Sequence, residues 1–153
     1  MALRASYKSY PVSRASKAFG QEIHWWPVLP VRLANQTSNL MTKPFHAVVD
    51  SGSSACLFHA DFLGPLGLNH KDGIEDSLGG VGRQASIPVY YHDISILVGI
   101  DWKIGVRAGF SEELAVAGLL GRLGFFDSFR VTFDHSVHPP AFEIDRIEHQ
   151  AIH

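Results

Sequence analysis

Apolar and polar residues alternate along much of the chain in short runs that are typical of β-strands. The alternation is clearest in residues 102–107 and 129–134, where every second side chain is apolar. Each of these runs predicts a strand with one buried face. Shorter or more continuous apolar runs predict further strands over residues 24–34, 45–49, 55–58, 86–98, 115–121 and 141–147.

Glycine and proline separate these runs and leave little room for helices. Residues 59–68 hold at most two helical turns, because Gly64-Pro65 and Gly67 would end them. Residues 122–128 predict a short helix with Leu123 and Phe126 on one face. The pattern predicts an all-β fold, closed or sandwich-like, with one short helix near the C-terminal third.

Two details of the predicted strands concern their position and continuity. Pro27 and Pro30 favour an edge position for the first strand, since proline donates no hydrogen bond to a sheet. The long strand over 86–98 has a predicted break near His92-Asp93, and residues 72–76 are predicted to be polar and exposed.

The first residues of the chain differ from the rest in their pattern. Residues 1–22 carry Ser, Arg, Lys and Tyr without a steady period, which predicts a flexible N-terminal arm that is ordered only by a partner, if at all. Residues 23–153 are predicted to form the folded domain. A chain of 153 residues is long enough for one domain with a proper core.

Composition narrows the class of protein. The hydrophobic fraction of 46%, the charged fraction of 18% and the net charge of −2 are typical of a globular protein without a basic surface for nucleic acid. The longest apolar run, residues 94–100, is too short to cross a bilayer, and the basic N-terminus lacks the apolar core of a secretory signal. We therefore expect a soluble, cytoplasmic protein that binds neither nucleic acid nor membrane. Cys56 is the only cysteine, so no disulfide forms within the chain.

The stretch around Asp50 holds the strongest candidate for chemistry. Val48 and Val49 favour a strand, and the small residues after Asp50, Ser51-Gly52-Ser53-Ser54, favour a tight turn that another backbone can approach closely. The sequence thus predicts a carboxylate at the end of a buried strand. Next to a second carboxylate it would share a single proton, an arrangement suited to acid–base catalysis. The same tripeptide also occurs in ordinary β-turns that do no chemistry.

Three motifs in a fixed order connect this stretch to a known family. They are Val48-Val49-Asp50-Ser51-Gly52-Ser53-Ser54, then Gly79-Gly80-Val81-Gly82, then Leu119-Leu120-Gly121-Arg122 with Leu123-Gly124-Phe125-Phe126 after it. The chain resembles the retropepsin-like aspartic proteases, which carry two apolar residues before Asp-Thr/Ser-Gly, a glycine-rich flap hairpin, and an apolar-apolar-Gly motif before a short helix. The resemblance covers roughly residues 28–147 and implies a retropepsin-like acid protease barrel.

The resemblance also implies a reaction. Members with one Asp-Ser/Thr-Gly motif work as homodimers, and neither Asp101 nor Asp134 begins a second copy of the motif. Asp50 and its symmetry mate would form a dyad that activates water to hydrolyse a peptide bond, without cofactor or metal. Ser51 would fix the aspartate geometry through a hydrogen bond across the dimer, and Gly52 would let the substrate backbone lie close.

Further residues are implied to bind an extended peptide or protein substrate. Ser53 belongs to the active-site loop, and Leu120 is expected to line the pocket. The flap would consist of Gly79, Gly80, Val81 and Gly82. Arg122 is expected to orient the active-site loop or the dimer contact.

Other functions have weaker support in the sequence. The nine histidines include no compact set of three or four metal ligands, and no Gly-x-Ser-x-Gly motif marks a serine nucleophile. Cys56 follows a predicted strand and is expected to be a core residue. The alternative to the protease is a catalytically inactive module of the same fold that dimerises or binds peptides.

Overall fold

Among the described residues, β-structure accounts for 52% and helices for 10%, with two 3₁₀ helices over 60–62 and 70–72 included in the second figure. The computed structural model describes residues 2–12, 14–79 and 86–148. Two short helices, α1 (Leu63–Leu66) and α2 (Phe125–Ser128), interrupt the strands. The strands in chain order are β1 (Ala2–Ser6), β2 (Lys8–Pro11), β3 (Ile23–Trp26), β4 (Val28–Ala34), β5 (Phe45–Val49), β6 (Leu57–His59), β7 (Ile74–Leu78), β8 (Ile87–Val98), β9 (Trp102–Ser111), β10 (Gly118–Leu120), β11 (Phe129–Asp134) and β12 (Ala141–Arg146).

Six strands close into a barrel in the order β4-β5-β10-β6-β9-β8, and pairing of β4 with β8 completes the circle. Most neighbours are antiparallel, but β10 runs parallel to β5, and β6 runs parallel to β9. β7 extends the sheet beyond β8 as the second arm of a hairpin. The closed, mostly β architecture and the short helix near the C-terminal third confirm the prediction at this level.

The barrel interior is filled by the alternate apolar residues that the sequence pattern indicates. On β9 the buried side chains of Ile104, Val106 and Ala108 alternate with exposed neighbours. The largest fully buried side chains of the core include Phe58 and Phe110. Closure satisfies the backbone of every barrel strand without leaving a long open edge, which is how a small β-protein hides its ladder from solvent.

The N-terminal segment is ordered within its own chain, contrary to the prediction of a flexible arm. β1 pairs with β12, and β12 pairs with β11, so that a three-stranded sheet carries both ends of the chain. β2 and β3 form a separate two-stranded ribbon. The prediction failed because β1 finds its partner strand near the opposite end of the sequence, and such pairing leaves no local periodic signal.

Several local predictions also change in the structure. β8 runs unbroken through His92-Asp93, contrary to the predicted break. The segment 72–76 is largely exposed, as predicted, and β7 begins within it at Ile74. β4 is a barrel strand and not an edge, since it pairs with β5 from Val28 and with β8 from Val31 onward. Pairing with β8 thus begins just after Pro30, where the missing N–H costs no hydrogen bond on that side.

α1 shows why a proline inside a helix is sometimes harmless. Gly64 and Pro65 lie within the helix and do not end it, because the first turn needs no N–H donor from proline. Gly67 ends the helix in the left-handed conformation, at φ 67°, as predicted. Among the described residues, no helix has the length and hydrophobicity to span a bilayer.

The three-stranded sheet offers a direct test of how it packs on the barrel. Phe142 is 1% exposed in the core, whereas Phe133, opposite it on β11, is 39% exposed. We expect Phe142→Ala to lower the free energy of unfolding by about 3–5 kcal/mol and Phe133→Ala by clearly less, because only the first leaves a cavity. Urea denaturation of both variants measures this, and equal losses would contradict the packing described.

Asp134 ties β1 to the β11–β12 hairpin through charge. The backbone N–H and the hydroxyl of Ser136 donate to its carboxylate at 2.9 and 2.5 Å, and Arg4 of β1 lies 3.7 Å away. The hydrogen bonds from Ser136, with a smaller contribution from Arg4, hold the pKa of the Asp134 carboxyl below its usual value. A lowered pKa in the folded state stabilises the fold above the ordinary Asp pKa, and this contribution disappears as the pH falls through the lower value.

We therefore expect Asp134→Asn to reduce stability at about pH 6, and we expect the difference to shrink as the pH falls through the lowered pKa of the Asp134 carboxyl. Urea midpoints of the two proteins over this pH range measure the effect. Asp101→Asn, in the exposed β8–β9 turn, is the control and should leave the wild-type pH dependence in place. A wild-type advantage that does not shrink as the pH falls would disprove the assignment.

Candidate active site

Asp50 directly follows β5, at the point where the strand leaves the core. Ala47 and Val49 are buried inside the barrel, while Asp50 is half-buried. Its N–H donates to the carbonyl oxygen of Leu120 at 3.0 Å, which continues the parallel pairing of β5 with β10. The carboxylate thus stands on the end of a strand that the core holds firmly.

The residues after Asp50 turn back sharply on the carboxylate. The N–H of Gly52 donates to Asp50 Oδ1 at 2.9 Å, and the N–H of Ser53 donates to the Asp50 carbonyl at 3.2 Å. A Cβ on residue 52 would lie 3.1 Å from Asp50 Oδ1, so a side chain there would crowd the carboxylate. The buried Ser53 hydroxyl donates to the carbonyl of Ala55 at 2.7 Å and closes the loop from inside. The Gly52 N–H thus holds the carboxylate directly, and the other two bonds fix the path of the loop around it.

A second segment, residues 121–123, forms hydrogen bonds to this loop from the other side. We call this contact between the two segments the clasp. The N–H groups of Arg122 and Leu123 donate to the carbonyls of Ser53 and Ser54, each at 2.9 Å. The Arg122 guanidinium donates to the carbonyl of Ser51, also at 2.9 Å. Arg122 therefore orients the loop, which is one of the two roles expected for it.

Gly121 makes the close approach of the two segments achievable. A Cβ on this residue would lie 2.1 Å from the carbonyl oxygen of Ala55 and 2.8 Å from that of Ser53. Both are backbone atoms, and no side-chain rotation relieves such contacts. The motif Leu119-Leu120-Gly121 thus has a packing reason for its glycine, independent of any family.

α2 and Cys56 support the clasp from below. Gly124, at φ 110°, begins the helix, and its N–H donates to the Asp127 carboxylate at 3.0 Å. Cys56 is fully buried, with its Sγ 3.7 Å from the carbonyl oxygen of Leu123. Burial raises the pKa of its thiol, so Cys56 is a packing residue and not a nucleophile.

Residues 50–55, which we call the Asp50 loop, form one wall of a cleft. The volume of this cleft, the Asp50 cleft, is about 410 Å³. The cleft is also lined by Leu78, Gly79 and Ile87, at the end of the β7–β8 pairing where Leu78 lies opposite Ile87. Among the described residues that line it, Asp50 is the one carboxylate and Arg122 the one cation. The complete described lining is Asp50, Gly52, Ser53, Ser54, Leu57, Leu78, Gly79, Ile87, Leu114, Leu119 and Arg122.

The structure brings four of the predicted site residues to this cleft, namely Asp50, Gly52, Ser53 and Gly79. Ser51 is exposed beside them and contributes its carbonyl to the bond with Arg122. The remaining predicted flap residues, Gly80, Val81 and Gly82, lie outside the described residues.

Leu120 does not line the cleft as predicted. It is fully buried in the core, opposite Val49 in the pairing of β10 with β5, and its neighbour Leu119 lines the cleft instead. Adjacent strand residues face opposite sides of a sheet, so an error of one position exchanges core for surface. Sequence reasoning also missed Leu57 and Leu114, since apolar residues in a cleft and in a core give the same local pattern.

No group of three or more His, Cys, Asp and Glu side chains in the described ranges is arranged to hold a metal ion. The sequence matches no model of a known protein family, and no curated protein matches it.

The clasp predicts a position-specific sensitivity to a single methyl group. We expect Gly121→Ala to lower the free energy of unfolding by about 3 kcal/mol, because the new Cβ overlaps backbone atoms. Gly64→Ala is the matched control, since a Cβ there has no atom within 4 Å and should leave stability nearly unchanged. Thermal unfolding of both variants decides the matter, and a Gly121→Ala protein as stable as the control would refute the clasp.

Proposed function

We propose that the protein is an aspartic endopeptidase of the retropepsin-like type, active as a homodimer. The observation that carries the proposal is the position of Asp50, half-buried in an open cleft and held by the Gly52 N–H. A carboxylate that is both fixed and accessible suits proton transfer. The order of the Asp50, hairpin and Leu119-Leu120-Gly121 motifs on a closed β-barrel supports the same class.

The presence of one carboxylate among the described lining of the cleft supports the proposed homodimer. Peptide hydrolysis by this chemistry needs one group that accepts a proton from water and another that donates a proton to the substrate. Asp50 is the one acid among the described residues lining the cleft, so a single chain supplies half of the pair. A two-fold axis beside the exposed Ser51-Gly52 turn would bring in Asp50 of the partner subunit, in an isologous contact.

The chemistry then follows from two carboxyl groups that share a proton. The ionised Asp50 accepts a proton from water as the water attacks the scissile carbonyl. The protonated Asp50 of the partner subunit donates to the carbonyl oxygen. The tetrahedral intermediate collapses when the proton taken from water passes to the leaving nitrogen, and the partner subunit's Asp50 recovers its own proton from the former carbonyl oxygen. The C–N bond breaks, water supplies the atoms of the new carboxyl and amine ends, and no covalent enzyme intermediate forms.

The walls of the cleft suit an extended peptide. Half-buried Leu114 and Leu119 give apolar surface for side chains, and Leu78, Gly79 and Ile87 of the β7–β8 hairpin also line the cleft. A strand-like substrate between these walls would bind through backbone hydrogen bonds, with alternate side chains in apolar pockets. The substrate class is therefore peptides or unfolded segments of proteins.

The test is cleavage of a mixed peptide library, read by mass spectrometry, with wild type and Asp50→Asn. We expect kcat/KM to fall by at least about 10³-fold, because the amide keeps the shape of the side chain but cannot act as general base. Asp101→Asn, an exposed acid in the β8–β9 turn, is the control and should keep wild-type activity. A statine-containing peptide, which imitates the tetrahedral intermediate, should inhibit the wild type.

The solution mass completes the test. We expect twice the 16.9 kDa of one chain under the conditions of cleavage. The protease proposal is refuted if the wild type cleaves no peptide, or if wild type and Asp50→Asn cleave equally well. Peptide binding without cleavage would instead favour a catalytically inactive binding module of the same fold.

A further inference from the structure

One face of the β2–β3 ribbon and the loop at its tip expose large apolar side chains. Phe19 of the loop is 80% exposed, and Ile23 and Trp25 of β3 are 48% and 38% exposed. Ile23 and Trp25 are alternate residues of one strand, so they share a face of the ribbon. We call Phe19, Ile23 and Trp25 the ribbon patch. Single exposed apolar residues need no explanation, but a group of large ones marks an interaction surface.

The other face of the ribbon turns toward the barrel. Its residues Tyr10 and Trp26 line a cleft together with Val48 of β5. Ile23 and Trp25 therefore face away from the barrel. The ring of Trp25 meets the ring of His138 edge-on, with centroids 5.4 Å apart, and this contact orients the indole.

The loop between β2 and β3 is folded so that it carries Phe19 outward. The N–H of Gly20 donates to the carbonyl of Ser16 at 2.7 Å, and the N–H of Phe19 donates to the Ser16 hydroxyl at 3.3 Å. Gly20 reverses the chain at a φ of 62°. The N–H of Val12 donates to the carbonyl of Glu22 at 3.0 Å and joins the two sides of the loop. The backbone thus fixes the turn from which the Phe19 ring projects into solvent.

Positive charge accompanies these apolar residues. Lys8 of β2 and Arg14 and Lys17 of the loop are all exposed. Glu22 is the one acid in residues 7–26, so this segment carries a net charge of +2 in a chain whose net charge is −2. An anionic lipid surface attracts lysine and arginine, and tryptophan favours the level of the lipid headgroups.

The arrangement favours a lipid surface over other anionic partners. Phe19 lies at the tip of the loop with Lys17 close by, so the ring can enter the edge of the hydrocarbon while the charge stays among the headgroups. Nucleic acid binding depends on many phosphate contacts, and a chain of net charge −2 with three exposed cations on its ribbon provides few.

We propose that the ribbon patch, with Arg14 and Lys17, binds the surface of membranes that contain anionic lipid. The protein would then associate with the bilayer reversibly and span none of it. This differs from the expectation drawn from the sequence, which considered only apolar runs long enough to cross a bilayer. The inference does not depend on the proposed peptidase activity, because the ribbon patch lies outside the Asp50 cleft.

The test is co-sedimentation of the wild type with vesicles of phosphatidylcholine that contain about 30% phosphatidylserine, and with vesicles of phosphatidylcholine alone. We expect binding to the first kind at about 0.1 M NaCl and at least about 10-fold weaker binding to the second. Raising NaCl to about 0.5 M should weaken binding to the first kind, since salt screens the attraction.

Variants separate the apolar and the charged contributions. Phe19→Ala should bind the phosphatidylserine vesicles about 10-fold more weakly, and Arg14→Gln with Lys17→Gln about 20-fold more weakly. Phe19→Trp should bind as well as the wild type, and its fluorescence should shift to the blue when vesicles are added. Ile100→Ala and Lys103→Gln change an exposed apolar residue and an exposed cation of the β8–β9 hairpin, so both are controls that should bind normally.

The inference is overturned if the wild type does not sediment with the phosphatidylserine vesicles, or if Phe19→Ala binds them as well as the wild type does. It is also overturned if the wild type binds polyglutamate or an oligonucleotide as tightly as it binds the vesicles, because the site then recognises charge alone. A loss of dimer mass in Phe19→Ala would assign the ribbon patch to a second copy of the chain and overturn it as well. None of these measurements involves peptide cleavage, so failure of the peptidase would be distinguished from failure of this inference.

Discussion

The parallel pairing of β5 with β10 is the constraint on which the candidate site depends. It joins two strands far apart in the chain and continues past both strand ends, through the bonds from Asp50 to Leu120 and from Arg122 to Ser53. The Asp50 loop therefore cannot move without disturbing the barrel. Gly121 is the point where this arrangement tolerates no side chain at all, because backbone atoms lie where a Cβ would be.

The N-terminal segment adds to the barrel in two separate ways. β1 closes the fold by pairing with β12, and Arg4 and Asp134 reinforce that pairing with opposite charges. The β2–β3 ribbon stands outside the barrel and builds one wall of a second cleft. Buried Tyr7 lies between β1 and β2 and fixes the path of the chain there. A segment that resembles a loose arm in the sequence thus contributes strands to two different sheets.

The charged groups of the candidate site are few. The Asp50 cleft holds one acid, Asp50, and one cation, Arg122, among its described lining. In the proposed peptidase a single chain is incomplete because it carries one carboxylate where proton transfer needs two, and a second copy supplies the other.

The sequence alone determined most of the barrel strands, the short helix after Gly124 and the identity of Asp50 as the candidate acid. These features are local, since alternation, glycine turns and a strand ending on an acid can be recognised within a few residues. The tertiary structure alone decided that Leu119 and not Leu120 faces the cleft and that β1 pairs with β12 in a sheet. Each of these depends on which distant strands pair and in which register, and a shift of one residue reverses every side chain without changing the local pattern.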